Sequence, residues 1–398
     1  MTESTGESTS RIEPALLDDV PEALADVIAD VAAESAALAK ALHPRTAASL
    51  ADLVRIMNAY YSNLIEGHDT RPLDIERALR DDLDTNPERR DLQLEAVAHV
   101  RLQRDIDVRA AAGDLPEPAS TLFIESLHRE FYRDARPDML LVRGRGAVAY
   151  AMTPGHLRTE AAQDNLVGRH QPPSSPNVAA FMTYFETRYR FDGLGRAGRI
   201  AAIAAAHHRL NYIHPFPDGN GRVSRLMSHA MGHAAGIGAH GLWSISRGLA
   251  RGLESSTEYM RMMDATDAPR RSDIDGRGNL SRHALIEFTL WFLRVCLDQI
   301  RFMRERFELA SLECRLRRLV ANHDRLAPEA AELLVHAAAR GEVERGDASR
   351  IAGLPERSAR RMLADTIALG LMDSTTPKGP VSLRFPATSA SELFPGLF

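Results

Sequence analysis

The segment His214–Arg225 reads HPFPDGNGRVSR and combines residue types that handle protons and phosphate groups. His214 precedes a proline, and the residue before a proline is disfavoured in the α region. We therefore expect His214 to be extended and to display an imidazole that can act as a general base. Phe216 lies between two prolines, and we interpret it as a side chain that packs this loop onto the core.

The turn Gly219-Asn220-Gly221 offers successive backbone amides where a helical pattern restarts. A nest of N–H groups then coincides with a helix N-terminus, which is an arrangement that binds phosphate. Arg222 and Arg225 lie three residues apart at that helix start, close enough on one face to share a polyanion. Asp218 is a lone carboxylate suited to Mg²⁺ that is bound mostly by phosphates and water. Together with a histidine base, these residues predict phosphoryl-type transfer to a hydroxyl.

At every specified position this segment resembles the Fic family signature HPFx(D/E)GNGRxxR. The resemblance covers about residues 50 to 320 and implies a mostly helical core that transfers AMP from ATP to a protein Ser, Thr or Tyr hydroxyl. It implies that His214 deprotonates the target hydroxyl, that Asp218 holds Mg²⁺, that Arg225 meets the γ-phosphate and that Tyr259 lines the adenine pocket. The ATP-binding residues it implies are Gly219, Asn220, Gly221, Arg222, Val223, Ser224, Arg225 and Tyr259.

A second motif lies upstream, where Ser62-Asn63-Leu64-Ile65-Glu66-Gly67 fits the pattern (S/T)xxxE(G/N) of the Fic inhibitory helix. Ser62 and Glu66 are one turn apart, and Gly67 suits the left-handed residue that ends a helix. Glu66 then lies in a last turn, where the helix dipole disfavours a negative charge and a nearby cation would compensate. The resemblance implies that Arg225 is this cation and that the pair inhibits ATP binding, as in members whose inhibitory helix is N-terminal and intramolecular.

The elements around these motifs are predicted to be mainly helices, with hairpins and loops between Arg143 and Pro173. Within that stretch, Val167–Pro173 resembles the flap of Fic proteins, a short β-hairpin to which an extended target segment could add by main-chain pairing. A long helix is expected from about Ser281 to Asn322. The predicted divisions are a disordered tail at 1–13, a helical region at 14–113 with the inhibitory helix at about 48–67, a Fic core at 114–321 and a small C-terminal domain at 322–398.

The C-terminal domain shows the order helix, short helix, helix and two short apolar runs, which resembles a winged helix-turn-helix. Arg357 and Arg361 fall on the outer face of the third helix, where a recognition helix presents its base-reading side. Residues 322–398 nevertheless carry nine Arg or Lys against ten Asp or Glu, so the domain is close to neutral. DNA binding and protein docking both remain open for it.

Composition and hydropathy argue against two function classes, broad nucleic-acid binding and membrane association. The 398 residues include 49 basic and 54 acidic side chains, a balance that does not favour a broad electrostatic grip on nucleic acid. The sequence contains neither a signal-peptide pattern nor a run of about 18 apolar residues, so we expect a cytoplasmic protein without a membrane partner. The expected partner is a target protein, which includes the chain itself, and both DNA and a homodimer stay open.

Three alternatives accompany the adenylyltransferase prediction. The chain could be a DNA-binding regulator whose core senses nucleotide or modifies the protein itself, a Fic enzyme that uses another phosphate donor, or one that removes AMP.

His229 and His233 are four residues apart on the helix after the motif and could share a metal. Because the sequence places no third ligand beside them, we interpret them as helix histidines satisfied by hydrogen bonds.

Overall fold

The computed structural model describes residues 7–143, 149–164 and 166–398. Helices dominate this part of the chain, and two short antiparallel strand pairs accompany them, which confirms the predicted fold class. The helices are α1 (Glu22–Ala39), α2 (Pro44–Ile65), α3 (Pro72–Ala78), α4 (Pro87–Ala112), α5 (Thr121–Phe131), α6 (Val178–Tyr189), α7 (Arg196–Ile213), α8 (Asn220–Ala234), α9 (Ile245–Arg251), α10 (Glu258–Thr266), α11 (Arg282–Arg306), α12 (Leu309–Ala321), α13 (Ala330–Arg340), α14 (Ala348–Ala352), α15 (Glu356–Ala368) and α16 (Ala387–Leu393).

Prolines begin three of the N-terminal helices, since Pro44, Pro72 and Pro87 each occupy a first helical position. Proline is favoured there because its missing N–H has no partner within the helix and its φ is already helical. α4 then ends at Gly113, whose φ of 77° is left-handed. Pro44 and Pro87 thus set the starts of the two long helices, α2 and α4, that face the candidate site.

The core is organised around α7, whose alanine-rich middle is buried on nearly every side. Small side chains let the neighbouring helices approach closely, and α7 packs against α6, α8 and α11. α2 lies against α4 and α9, and α4 in turn lies against α8. The loop between α7 and α8 thus packs against the core on one side and faces α2 and α4 on the other.

The strands form two separate ladders. β1 (Leu141–Arg143) pairs with β2 (Ala149–Ala151), and β3 (Met372–Asp373) pairs with β4 (Ser382–Leu383), both antiparallel. The sequence predicts a short β element between Arg143 and Pro173; β2 lies within this stretch, whereas β1 ends at its first residue. Residues 144–148, which connect its two strands, lie outside the described residues.

Two predictions about elements were wrong. Residues 1–13 were expected to be disordered, yet Thr9–Ile12 form a 3-10 helix whose Ile12 is fully buried. Ile12 and polar contacts such as that from Arg11 to the carbonyl of Gln171 hold this segment on the core. Residues 1–6 of the predicted tail lie outside the described residues. The long helix expected from about residue 281 to residue 322 is two helices, because the Glu308 carboxylate accepts hydrogen bonds from the backbone N–H groups of Ala310 and Ser311 and so caps the start of α12.

The C-terminal segment packs against α2. The Thr46 hydroxyl donates to the carbonyl of Ala338 at 2.9 Å, and the Arg384 guanidinium donates to the Ser49 hydroxyl at 2.8 Å. The segment contains α13, α14 and α15 followed by the β3–β4 ladder and α16, while its assignment as a winged-helix domain stays a prediction. Among the helices in residues 7–143, 149–164 and 166–398, none is both long enough and apolar enough to cross a membrane.

Candidate active site

His214 lies at the end of α7 in a left-handed conformation, with φ 51° and ψ 59°. The prediction of an extended backbone was wrong, because His214 caps the helix. Its backbone N–H donates to the carbonyl of Leu210 at 3.0 Å, and a helix that ends in this way commonly places a left-handed residue at its C-terminus. The chain reverses at His214, and the two prolines after it carry the loop away from the helix axis.

Arg158 fixes the His214 backbone, a role that the sequence motif does not reveal. Its side chain is 1% exposed, and its Nε donates to the carbonyl of His214 at 2.7 Å. Nη2 of the same guanidinium donates to the carbonyls of Ile213 at 3.2 Å and Pro173 at 3.0 Å. One buried arginine therefore joins the end of α7 to the last residue of the predicted flap.

The His214 imidazole is neutral at physiological pH. Burial, with the neighbouring charges of Arg158 and His170, lowers the pKa of His214 to about 3. A neutral imidazole keeps one ring nitrogen free to accept a proton, which a general base requires. The neutral state is the one that the predicted role requires, while a pKa this far below neutral makes the imidazole a weak proton acceptor in this conformation.

Asn220 clamps the loop on itself. Its Oδ1 accepts from the backbone N–H of Phe216 at 2.9 Å, and its Nδ2 donates to the Phe216 carbonyl at 2.8 Å. Phe216 is fully buried and stacks on His128 with ring centroids 4.0 Å apart, as expected for a packing residue. Because the Asn220 side chain is already hydrogen-bonded within the loop, the group that Asn220 can offer to a phosphate is its backbone N–H.

Two glycines make close approaches at the start of α8. Gly219 has a φ of 76°, and a Cβ built on it would lie 2.8 Å from the Tyr132 hydroxyl. A Cβ on Gly221 would lie 2.5 Å from Oε1 of Glu66. The Glu66 carboxylate is therefore already in front of the helix N-terminus, the place where the nest predicts a phosphate.

The two residues after Arg222 turn away from this position. Val223 is 1% exposed in the core, and the Ser224 hydroxyl donates to the carbonyl of Gly221 at 2.9 Å. Both were predicted to bind ATP. In this conformation their side chains support α8 instead of lining the nest.

Asp218 stands at the surface of the loop with an exposed side chain. One carboxylate oxygen accepts from the backbone N–H of Gly219 at 2.7 Å, and the Asp218 carbonyl is 3.2 Å from Nε2 of His128. The loop thus orients a hard oxygen ligand beside the nest, the donor chemistry that Mg²⁺ takes from proteins. Asp218 fits the predicted role in donor type and place.

Arg225 is bound by the upstream motif, as the family resemblance implies. The guanidinium is 1% exposed; its Nε donates to the Ser62 hydroxyl at 2.9 Å, and its Nη2 donates to Oε1 of Glu66 at 2.6 Å. Burial raises the pKa of Glu66, but the charges of Arg225 and Arg222 outweigh it and hold that pKa below its usual value. Gly67 follows with the expected left-handed φ of 85°.

Arg222 is already paired, so it does not share a free polyanion position with Arg225. Its Nη2 donates to Oε2 of Glu95 at 2.8 Å, its Nη1 donates to the Tyr132 hydroxyl at 3.3 Å, and its guanidinium lies over the Phe131 ring. Glu95, on α4, has no recognisable motif around it, and sequence reasoning missed it.

Burial raises the pKa of Glu95, and the nearby carboxylates of Asp218 and Glu66 raise it further, although Arg222 acts against this. Three carboxylates therefore face two guanidinium groups at the start of α8. A phosphate that binds either guanidinium would compete with the carboxylate already paired with it.

Tyr259 and the predicted flap both contact α7, Tyr259 through His207 and the flap residue His170 through the carbonyl of Tyr212. Tyr259 is 5% exposed, its hydroxyl is 2.8 Å from Nε2 of His207, and its ring stacks on Trp291. Its side chain is thus part of the packed interior in this conformation. Val167 and His170 exchange both of their backbone hydrogen bonds, at 3.0 and 2.9 Å, which makes a tight turn at the predicted flap.

Comparisons with known proteins agree with this architecture. The fold is mostly helical and similar to that of a Fic family protein from Desulfovibrio desulfuricans G20, with a TM-score of 0.52 and 15% identity over 92% of this chain and 97% of that one. At this identity the likeness concerns the fold. Residues 119–231 match the model of the Fic/DOC family, and this segment contains the whole motif from His214 to Arg225.

Curated relatives match over a shorter stretch. Seventy residues, 18% of this chain, are 39% identical to the protein adenylyltransferase Fic of Drosophila erecta and to that of Drosophila melanogaster. The aligned stretch spans 14% of the length of each of these relatives. Residues 119–231 are therefore similar to a Fic/DOC domain, while the upstream residues Ser62 and Glu66 lie outside the matched segment.

Proposed function

We propose that this protein is an adenylyltransferase that transfers AMP from ATP to a Ser, Thr or Tyr hydroxyl of a protein, and that Glu66 inhibits it in the conformation described above. The observation that carries the proposal is the loop from His214 to Gly221. It ends one helix on a neutral imidazole and begins the next on a nest of backbone amides. A base and a phosphate site on one clamped loop suit transfer to a hydroxyl.

The proposed reaction is one in-line displacement. His214 accepts the proton of the target hydroxyl, and the resulting oxygen attacks the α-phosphorus of ATP. The bond from that phosphorus to the β-phosphate bridging oxygen breaks, and pyrophosphate leaves with the electron pair. Backbone N–H groups at the start of α8 hold the phosphates, because they point along the helix axis at the positive end of its dipole.

Mg²⁺ would be held by the Asp218 carboxylate and, when bound, would offset phosphate charge. The hydrogen bond from the Gly219 N–H orients one oxygen of that carboxylate, at 2.7 Å. Arg158 fixes the His214 backbone, so the proton acceptor keeps its place while the substrate docks.

The inhibitory part of the proposal follows from competition for the same groups. Glu66 binds Arg225 and lies close to Gly221, so a phosphate that approaches the nest meets a carboxylate first. Like charges at this range repel, and the interior position of Arg225 strengthens the existing contact. Release of Glu66 would give both the guanidinium and the nest to the nucleotide.

Mass spectrometry tests the activity and names the donor. The full chain with Glu66→Gly is incubated separately with ATP, GTP, CTP and UTP, alone and with cell lysate, and modified peptides are searched for each nucleotide mass. We expect an added AMP from ATP and none in the His214→Ala, Glu66→Gly double variant. Another nucleotide mass would favour the alternative donor, loss of AMP from a pre-modified protein would favour AMP removal, and no nucleotide mass under any condition would refute the transferase.

The DNA-binding alternative is supported by one feature of the C-terminal segment. Arg357 and Arg361 are exposed on α15, while Ala359 and Leu363 of the same helix are buried, as a recognition helix would require. A gel shift at several salt concentrations, compared with an Arg357→Ala, Arg361→Ala variant, tests it. Affinity that falls with salt and is lost in the variant would support DNA binding, whereas no shift at low salt would exclude it.

A further inference from the structure

The histidine pair on α8 has a third partner that the sequence does not reveal. Nε2 of His229 and Nε2 of His233 lie 2.7 and 2.9 Å from the same oxygen, Oδ1 of Asp107 on α4. Our interpretation that no carboxylate is placed beside these histidines was wrong, because α4 packs against α8 and supplies one from more than 120 residues earlier in the chain.

We propose that Asp107, His229 and His233 form a binding site for a divalent first-row transition metal ion such as Zn²⁺. The three ligand atoms lie within 4.8 Å of one another. Two imidazoles and one carboxylate are a ligand set that suits zinc and its neighbours better than Mg²⁺. The proposal does not depend on the proposed transferase activity.

The spacing of the ligand atoms allows an ion to enter with small side-chain movements. Metal–ligand bonds of about 2.0–2.1 Å place tetrahedral ligand atoms about 3.3 Å apart and ligand atoms at right angles about 2.9 Å apart. The two nitrogen–oxygen distances, 2.7 and 2.9 Å, are already in the range for right angles. No two of the three ligand atoms are more than 4.8 Å apart, so the widest separation has to shrink by at most about 1.5 Å for a tetrahedral ion.

A second layer of contacts orients the carboxylate. Nε of Arg55 donates to Oδ2 of Asp107 at 2.8 Å, which leaves Oδ1 directed at the two imidazoles. Asp52 binds the same guanidinium at 2.7 Å and offsets its charge. Metal ligands are commonly held in this way by outer hydrogen bonds, which fix the ligand orientation.

The loop after α8 is built closely around the cluster. A Cβ on Gly238 would lie 2.4 Å from Nδ1 of His233, and a Cβ on Gly241 would lie 2.8 Å from Oδ2 of Asp107. Between these glycines Ala239 and His240 have φ values of 44° and 56°, a backbone conformation that residues other than glycine rarely adopt. Backbone strain of this kind persists where the surroundings determine it, and it concentrates at functional sites.

The cluster is buried but reachable. The three side chains are 6 to 8% exposed, and a surface groove lined by Arg55, Asp107 and His233 leads to them. A metal site needs such an entry path together with the correct ligands.

Isothermal titration of the metal-free full chain with ZnCl₂ tests the site. We expect one ion per chain, and binding at least about tenfold weaker in His229→Gln and in His233→Gln. The Gln side chain keeps an N–H donor near the former Nε2, so the hydrogen bond to Asp107 can persist and the fold is preserved. His283→Gln is the matched control, because His283 is exposed beside Glu287 at 3.3 Å and represents a surface pair.

Two further measurements keep the test decisive. Zn²⁺ should raise the unfolding temperature of the native chain and of His283→Gln, but not that of a His229→Gln, His233→Gln variant. If a variant does not fold, Co²⁺ added to the native chain should still give the visible bands of a bound ion. Absence of binding, or several weak ions that the two α8 variants leave unchanged, would overturn the proposal.

Discussion

Replacement of Glu66 by glycine should activate the protein. The substitution removes the carboxylate that accepts from Nη2 of Arg225 at 2.6 Å, while Ser62 still accepts from Nε at 2.9 Å. The guanidinium therefore keeps its position and gains a free donor for a phosphate. Glu66 is the C-cap residue of α2, so glycine there does not interrupt the helix.

The size of the effect follows from the exposure of the two partners. A hydrogen bond to a charged group contributes about 1.5–3 kcal/mol, and solvent reduces this value for exposed pairs. Arg225 is 1% exposed, but the Glu66 side chain is 34% exposed. We therefore use the lower part of the range, about 1.5–2 kcal/mol, which corresponds to a rise of roughly 10- to 30-fold in the share of protein that can bind ATP productively.

The assay is the initial rate of label transfer from α-³²P-ATP to the chain itself or to a target protein. Glu66→Gln, which keeps an oxygen acceptor but loses the charge, should give a rate between those of the native chain and Glu66→Gly. Asp69→Asn serves as the control, since it removes a nearby exposed carboxylate that is three residues further along the chain. Equal rates in the native chain and Glu66→Gly, or an equal rise in Asp69→Asn, would refute the inhibitory contact.

The remaining predictions concern the loop. His214→Ala in the activated variant should abolish label transfer while ATP binding, measured by titration calorimetry, persists; continued turnover would contradict its role as base. Since the pKa of His214 is lowered to about 3, its imidazole is unprotonated from neutral pH down to about 4, and kcat/KM should show no acid-side loss near pH 6.5. A fall in kcat/KM on the acid side with an inflection near pH 6.5 would contradict this prediction. Asn220→Ala should lower the free energy of unfolding in urea by about 1–3 kcal/mol, because it leaves the buried N–H and carbonyl of Phe216 without their side-chain partners.

The parts of the site that the sequence predicted are those that depend on local structure. The turn at Gly219, the helix that begins after it and the left-handed Gly67 all follow from backbone preferences within a few residues. The contact between Glu66 and Arg225 was expected only from the family resemblance. The backbone of His214 was mispredicted because two local rules conflict there, and the need to end α7 outweighed the preference before proline.

The parts that could not be predicted depend on which helices pack together. Glu95 meets Arg222, and Asp107 meets His229, only because α4 lies against α8. The residues of each pair are more than 100 positions apart, and no periodicity in either helix signals the partner. Arg158 is a similar case, since a single arginine in an irregular segment gives no indication that it will be buried against the His214 carbonyl.

The charges around α8 indicate that relief of the proposed inhibition would need only a side-chain movement. Arg225 is paired with Glu66 and Arg222 with Glu95, so both guanidinium groups already have carboxylate partners before any nucleotide arrives. Burial and its acidic neighbours raise the pKa of Glu95, whereas the pKa of Glu66 is held below its usual value, so Glu66 keeps its charge more firmly. A triphosphate therefore competes mainly with Glu66, whose side chain is the more exposed of the two. Because Ser62 holds Arg225 without help from Glu66, rotation of one carboxylate out of the site is sufficient, and α2 itself can stay in place.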